Sequence, residues 1–238
     1  MTRILFVCHG NICRSPAAEF ILGDLLRRAG LAGDFEIASA ATSSEEIGNG
    51  VYPPMRKVLA AHGLDCAGKT ARKLKRRDYE DWDLLIGMDE ENLWSMRRLF
   101  GGDPDSKLRL FLDYAGFPGE EIADPWYTRN FERAYDELAL ACEGLLYRLT
   151  GVVLVDFSLC PDISSLYRQL REKLQWEDWY GENLDALYDI LTGLPHRGER
   201  FLLTLPGEDA PLEARLYARR ILDCFRDAGV LIEAEKSE

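Results

Sequence analysis

The 238-residue chain is poor in the residues that build metal sites and disulfide frameworks. It has three histidines, at 9, 62 and 196, and six cysteines, at 8, 13, 66, 142, 160 and 224. Thiols so sparse do not make a disulfide scaffold, and histidines so dispersed do not join them at zinc-ligand spacing. No metal or other cofactor is implied. No stretch approaches the roughly 18–20 apolar residues of a membrane span, so no membrane partner is expected. The apolar run Ile4-Leu-Phe-Val7 is too short for a secretory signal and predicts a strand in a cytoplasmic protein. Positive charge is scarce as well. The net charge is −12, divided as −5 up to Thr150 and −7 beyond it. Such a surface repels a phosphate backbone and argues against nucleic acid, whereas a basic protein would be attracted.

What is present is the composition of a folded globular protein, 47% hydrophobic and 29% charged, at a length that suits two domains. Ile4–Val7 reads as a buried parallel strand. Pro16 suits the first turn of a helix that runs to about Ala29. Further strands are expected at 35–39, 84–88 and 108–112. Helices are expected at 53–62, at 90–99 behind an Asp89 cap, and as one continuous element at 128–149. Strand, turn and helix in alternation predict an α/β domain with a four-stranded parallel sheet flanked by helices. Thr150-Gly151 ends that domain. A smaller α/β unit follows, with strands at 152–155, 201–205 and 230–233 and helices at 164–174, 182–191 and 211–228. The predicted domains are 1–150 and 151–238.

The chemistry concentrates at Cys8-His9-Gly10-Asn11-Ile12-Cys13-Arg14-Ser15. Five residues between Cys8 and Arg14 can curl round one tetrahedral oxyanion and aim backbone N–H groups at it, while the following helix adds its positive dipole end. Arg14 can grip two phosphate oxygens where a lysine could not. Gly10 and Asn11 tolerate the left-handed backbone of a tight loop. The donors that hold phosphate also favour a Cys8 thiolate nucleophile, and Ser15 can hydrogen-bond it. Cys13 is either a redox partner for Cys8 or inert filler. Asp124, in Ala123-Asp124-Pro125-Trp126-Tyr127, is the candidate general acid, with Trp126 and Tyr127 walling a slot for an aromatic substrate.

These residues resemble the low-molecular-weight protein tyrosine phosphatases. The likeness is carried in order by the Cys-x5-Arg-Ser loop, Ser39-Ala-Ala-Thr-Ser43, Gly87-Met-Asp-Glu-Glu-Asn-Leu93 and Asp124-Pro125-Trp126, across residues 2–149. It implies a phosphotyrosine phosphatase I-like fold, Cys8 as nucleophile, Arg14 as transition-state clamp and Asp124 as acid and then base. It also implies that Asn11 and Ser39 order the loop. Ile12 resembles the tyrosine-directed members. Three departures stand out: Ser44-Glu45 in the loop after Ser43, an inserted Gly50-Val51-Tyr52, and Lys69 near where relatives often place a histidine. The expected substrate is a phosphotyrosine protein or a small aryl phosphate. A thiol-dependent arsenate reductase is an alternative that shares the loop, but residues 80–90 lack the further cysteines it needs.

In the second domain, Leu184, Leu187 and Leu191 share one helical face, while Asp185 and Asp189 share another. The run Tyr180-Gly-Glu-Asn-Leu-Asp-Ala-Leu187 and the closing Phe225-Arg-Asp-Ala228 resemble barstar, the ribonuclease inhibitor, over about residues 152–234. The resemblance implies a basic ribonuclease-like partner that meets Asp185 and Asp189, supported by Asp227 and Trp179. A ribonuclease-inhibitor-type binding protein with a secondary phosphatase is therefore the other alternative.

Overall fold

A computed structural model of the chain describes residues 1–174, 181–193 and 199–236. The first strand, β1 (Thr2–Cys8), is apolar because it lies inside a sheet covered on both faces. Ile4, Leu5, Phe6 and Val7 are completely buried. Their side chains alternate between the two faces. Leu5 and Val7 join a cluster with Leu85, Leu93 and Met96, whereas Phe6 meets Phe111 with ring centroids 4.9 Å apart.

From β1 the chain passes through a short loop into α1 (Arg14–Arg28) and returns as β2 (Phe35–Ala41). The elements α2 (Pro53–Ala61) and α3 (Asp78–Asp81) precede β3 (Leu84–Gly87), α4 (Glu90–Phe100) and β4 (Leu108–Leu110). All the strand pairs are parallel, in the order β2-β1-β3-β4. Two central strands therefore end side by side, at Cys8 of β1 and Gly87 of β3. The carboxyl ends of parallel strands are where such sheets hold ligands.

One expected helix is interrupted. In place of a single element over 128–149 there are α5 (Pro125–Thr128) and α6 (Phe131–Thr150). Arg129 separates them in the left-handed conformation, at φ 57°. Helix α6 packs closely on the first domain's 3-10 turn at Leu112–Ala115. A Cβ at Gly144 would stand 2.1 Å from the Tyr114 carbonyl oxygen, so the approach requires glycine.

Residues Met1–Arg148 and Leu149–Glu238 form two compact units. The second contains β5 (Val152–Asp156), α7 (Ile163–Leu174), α8 (Leu184–Gly193), β6 (Arg200–Leu205), α9 (Leu212–Asp227) and β7 (Leu231–Lys236). Its strands form a parallel sheet in the order β5-β6-β7. Phe157, Tyr167, Leu187, Phe201, Ile221 and Phe225 build its core. Among the described residues no helix is long and apolar enough to cross a membrane.

Candidate active site

The loop between β1 and α1 holds its curvature through Asn11. This residue is 1% exposed and sits at φ 56°, a conformation that asparagine tolerates better than most side chains. Its side chain is tied in three directions. Oδ1 accepts the Arg72 N–H at 3.1 Å, which fixes the amide so that Nδ2 donates to Ser15 Oγ at 2.9 Å and Ser39 Oγ at 2.7 Å. The carbonyls of Cys8, His9 and Ile12 accept from the N–H groups of Thr42, Ser43 and Tyr52 at 2.8–2.9 Å. Three of the loop's carbonyls are thus engaged by neighbouring backbone, and the N–H of Asn11 turns to the Cys8 sulfur.

Those bonds set the direction of the rest of the network. Ser15 Oγ already accepts from Asn11, so its own proton is available to Cys8 Sγ, 3.0 Å away. The Asn11 N–H donates to the same sulfur at 3.2 Å. The sulfur therefore has two donors aimed at it. At the other end, Ser39 Oγ donates to Glu19 Oε2 at 2.6 Å, and Lys69 Nζ pairs with the same oxygen. A hydrogen-bond network, its donors pointing both ways from the Asn11 amide, thus links a mostly buried lysine–glutamate pair to the Cys8 sulfur. Lys69 supplies the cation at this end of the network.

Arg14 begins α1 and is 2% exposed. Its Nη1 donates to Asp89 Oδ2 at 2.7 Å and to the Ile122 carbonyl at 2.9 Å, and its Nη2 donates to Asp124 Oδ2 at 2.6 Å. Burial opposes the guanidinium charge, but Cys8, Asp124 and Asp89 outweigh it and hold Arg14 above its ordinary value. Asp124 caps α5, accepting the Trp126 N–H on its other oxygen at 2.9 Å. Burial pushes the Cys13 thiol well up, and the nearby Cys8 and Asp124 charges add to that. Cys13 is therefore neutral where a reactive cysteine would be ionised.

Cys8, Cys13, Arg14 and Asp124 line one cleft of about 270 Å³, with Trp126 and Tyr127 at its wall. Trp126 is steadied by the Tyr52 ring at 5.5 Å and by the Arg129 guanidinium over its face at 5.0 Å. Tyr52 also meets Phe131 at 5.7 Å. His9 also lines the cleft, where its imidazole meets Glu45 at 3.3 Å. Two contributors escape a reading of the sequence. Asp89 reads only as a helix cap, and it does cap α4 through the Asn92 N–H at 2.7 Å, but its second oxygen holds Arg14. Tyr52 reads as part of an insertion; its aromatic type is the one signal that it could buttress a slot.

In the second unit, α8 buries Leu187, Ile190 and Leu191 and exposes Asp185, Tyr188 and Asp189. Asn183 Oδ1 accepts the Ala186 N–H at 2.9 Å at the start of this helix. Exposed Asp227 closes α9. Burial raises the Cys224 thiol, and the charges of Asp227, Asp223 and Asp185 add to that against the opposing Arg220. Trp179 lies outside the described residues.

Comparison with known proteins agrees with this architecture. Residues 3–153 match the family model "Low molecular weight phosphotyrosine protein phosphatase", and residues 150–238 match "Barstar (barnase inhibitor)". The Bacillus subtilis low molecular weight protein-tyrosine-phosphatase YfkJ is 38% identical over 147 residues, which cover 61% of this chain and 94% of that protein. The Drosophila melanogaster low molecular weight phosphotyrosine protein phosphatase 1 is 35% identical over 149 residues, covering 60% of this chain and 94% of that protein. The crystal structure of YfkJ superposes with a TM-score of 0.61 at 37% identity, over 63% of this chain and 94% of that one. A Drosophila arginine phosphatase superposes with a TM-score of 0.58 at 30% identity, over 63% of this chain and 98% of that one.

Proposed function

This chain belongs to the low molecular weight phosphotyrosine protein phosphatase family, and we propose that it hydrolyses phosphotyrosine by covalent catalysis at Cys8. The observation that carries this mechanism is the hydrogen-bond network ending on the Cys8 sulfur, in the same cleft as Arg14 and Asp124. The thiolate attacks phosphorus and the P–O bond to the tyrosine oxygen breaks. Asp124 gives its proton to that oxygen as it leaves. Water then attacks the S–P bond and passes a proton back to Asp124. The sulfur departs as a thiolate held by the Ser15 hydroxyl, and orthophosphate is released. Arg14 grips two phosphoryl oxygens through the transfer, as its planar fork allows. The Ile122 carbonyl and Asp89 hold that fork in position. Trp126 and Tyr127, backed by Tyr52, wall the slot for the substrate ring.

Residues 1–150 carry this chemistry in our reading, and residues 151–238 form a protein-docking domain of the barstar type. Exposed Asp185 and Asp189 on α8, with Asp227 at the end of α9, favour a basic ribonuclease-like partner. Cys8→Ser tests the mechanism: loss of aryl phosphate hydrolysis and of the phosphocysteine seen by quenched mass spectrometry is expected, and retained turnover rejects it. Calorimetry of the full chain against a barnase-type ribonuclease tests the docking. Heat of binding that Asp189→Ala abolishes is expected, and no heat from the intact chain rejects it.

A further inference from the structure

At the floor of the catalytic cleft Arg14 is paired with Asp89 and Asp124, and the mouth is acidic. Arg14 is buried at the floor, whereas Glu45, Glu46 and Glu91 line the cleft beyond it. These three carboxylates come from two separate elements. Glu45 and Glu46 follow β2, and Glu91 is the second residue of α4. Glu46 leans on the phosphate loop, its Cγ 3.2 Å from where a Gly10 Cβ would stand, and the Asn49 amide holds its carboxylate at 2.7 Å. Glu45 and Glu91 are exposed. Arg129 is not among the residues lining the cleft, because its guanidinium is stacked on the Trp126 ring.

We propose that this acidic mouth selects phosphotyrosines flanked by lysine or arginine. The inference rests on the phosphatase reading and adds a substrate class to it. The phosphoryl group is gripped at the floor by Arg14, so the mouth meets the peptide on either side of the tyrosine. Flanking cations are attracted to Glu45, Glu46 and Glu91, and flanking carboxylates are repelled. Contacts of this exposed kind are individually weak, but several acting together give a preference on the order of tenfold in kcat/KM. Because the groups are solvated, the preference shrinks as salt shortens the reach of charge to a few ångströms.

The test uses the full chain and three phosphotyrosine peptides of equal length with arginine, alanine or glutamate flanks. At low ionic strength the expected order of kcat/KM is arginine, alanine, glutamate, and concentrated sodium chloride compresses it. Glu45→Lys/Glu91→Lys should level or invert the order. Glu80→Lys/Asp136→Lys changes the net charge equally but alters exposed residues outside the cleft, and should preserve the order. Equal hydrolysis of the three peptides by the unmodified chain overturns the proposal, as does an equal effect of the two double variants. Hydrolysis of none of the peptides would instead overturn the underlying phosphatase reading, which separates the two failures.

Discussion

Arg14 Nη2 donates to the Asp124 carboxylate at 2.6 Å, so the clamp and the proton donor of the proposed reaction are in direct contact. A phosphoryl group that reaches Arg14 must share the guanidinium with Asp124 or displace it. Displacement frees that carboxyl oxygen next to the leaving group. Asp124→Asn keeps the shape and loses the acid. Its kcat on phenyl phosphate should fall by about 10²–10⁴-fold. Dinitrophenyl phosphate, whose leaving group needs no proton, should lose far less. An equal loss on both substrates would remove Asp124 from the role of acid.

The Lys69–Glu19 pair behind the loop predicts a second result. Its side chains are only 15% and 19% exposed. Lys69→Met leaves Glu19 charged without its cation and should cost about 3 kcal/mol, as breaking a buried pair does. Adding Glu19→Gln should restore much of that stability, because Ser39 can still donate to the neutral amide oxygen. Urea denaturation of both variants reads the difference. Equal stability of the single and double variants would show that the pair is not energetically coupled.

Two glycines in helices should respond in opposite directions. Gly144→Ala pushes a methyl group into the Tyr114 carbonyl and should cost about 1–3 kcal/mol, the range for overpacking. Gly23, within α1, has nothing within 4 Å of a new Cβ, so Gly23→Ala should gain about 0.5–1 kcal/mol. Differential scanning calorimetry should show the first domain's transition falling in one variant and rising in the other.

Stability should also fall as the solution becomes alkaline. Burial holds the completely buried Cys142 thiol well above its ordinary range, whereas the unfolded chain ionises it near about 8.5. Above that pH the folded state retains a proton that the unfolded state has lost. Each such thiol then removes up to about 1.4 kcal/mol per pH unit. Tyr135, pushed up to about 12 mainly by burial, acts in the same sense above pH ~10. Urea midpoints at rising pH should drop less steeply in Cys142→Ala than in the unmodified chain.

The parts of the fold and site that were legible in the sequence are those whose cause is local. Apolar Ile4–Val7, the loop that follows and Pro16 specify strand, turn and helix within a few residues. The result is β1 and α1, with α1 starting two residues earlier than Pro16 indicates. Arg129 gave no local warning, because an arginine in the left-handed conformation is set by its surroundings and no glycine or proline marks the break. The Asp89 contact with Arg14 spans 75 residues and exists only because β3 pairs with β1. Lys69 and Glu19, 50 residues apart, likewise meet only in the folded chain. Spacing along a chain carries no information about such partners until the sheet order is known.

Because Asn11 is pinned by Ser15, Ser39 and Arg72, the curvature of the phosphate loop is part of the folded state rather than something a substrate must induce. A loop curved in advance receives the free orthophosphate ion as well as a phosphoryl group still attached to tyrosine. The reaction's own product then competes for the cleft. Turnover becomes coupled to the phosphate pool around the protein, slowing as that pool fills and quickening as it drains.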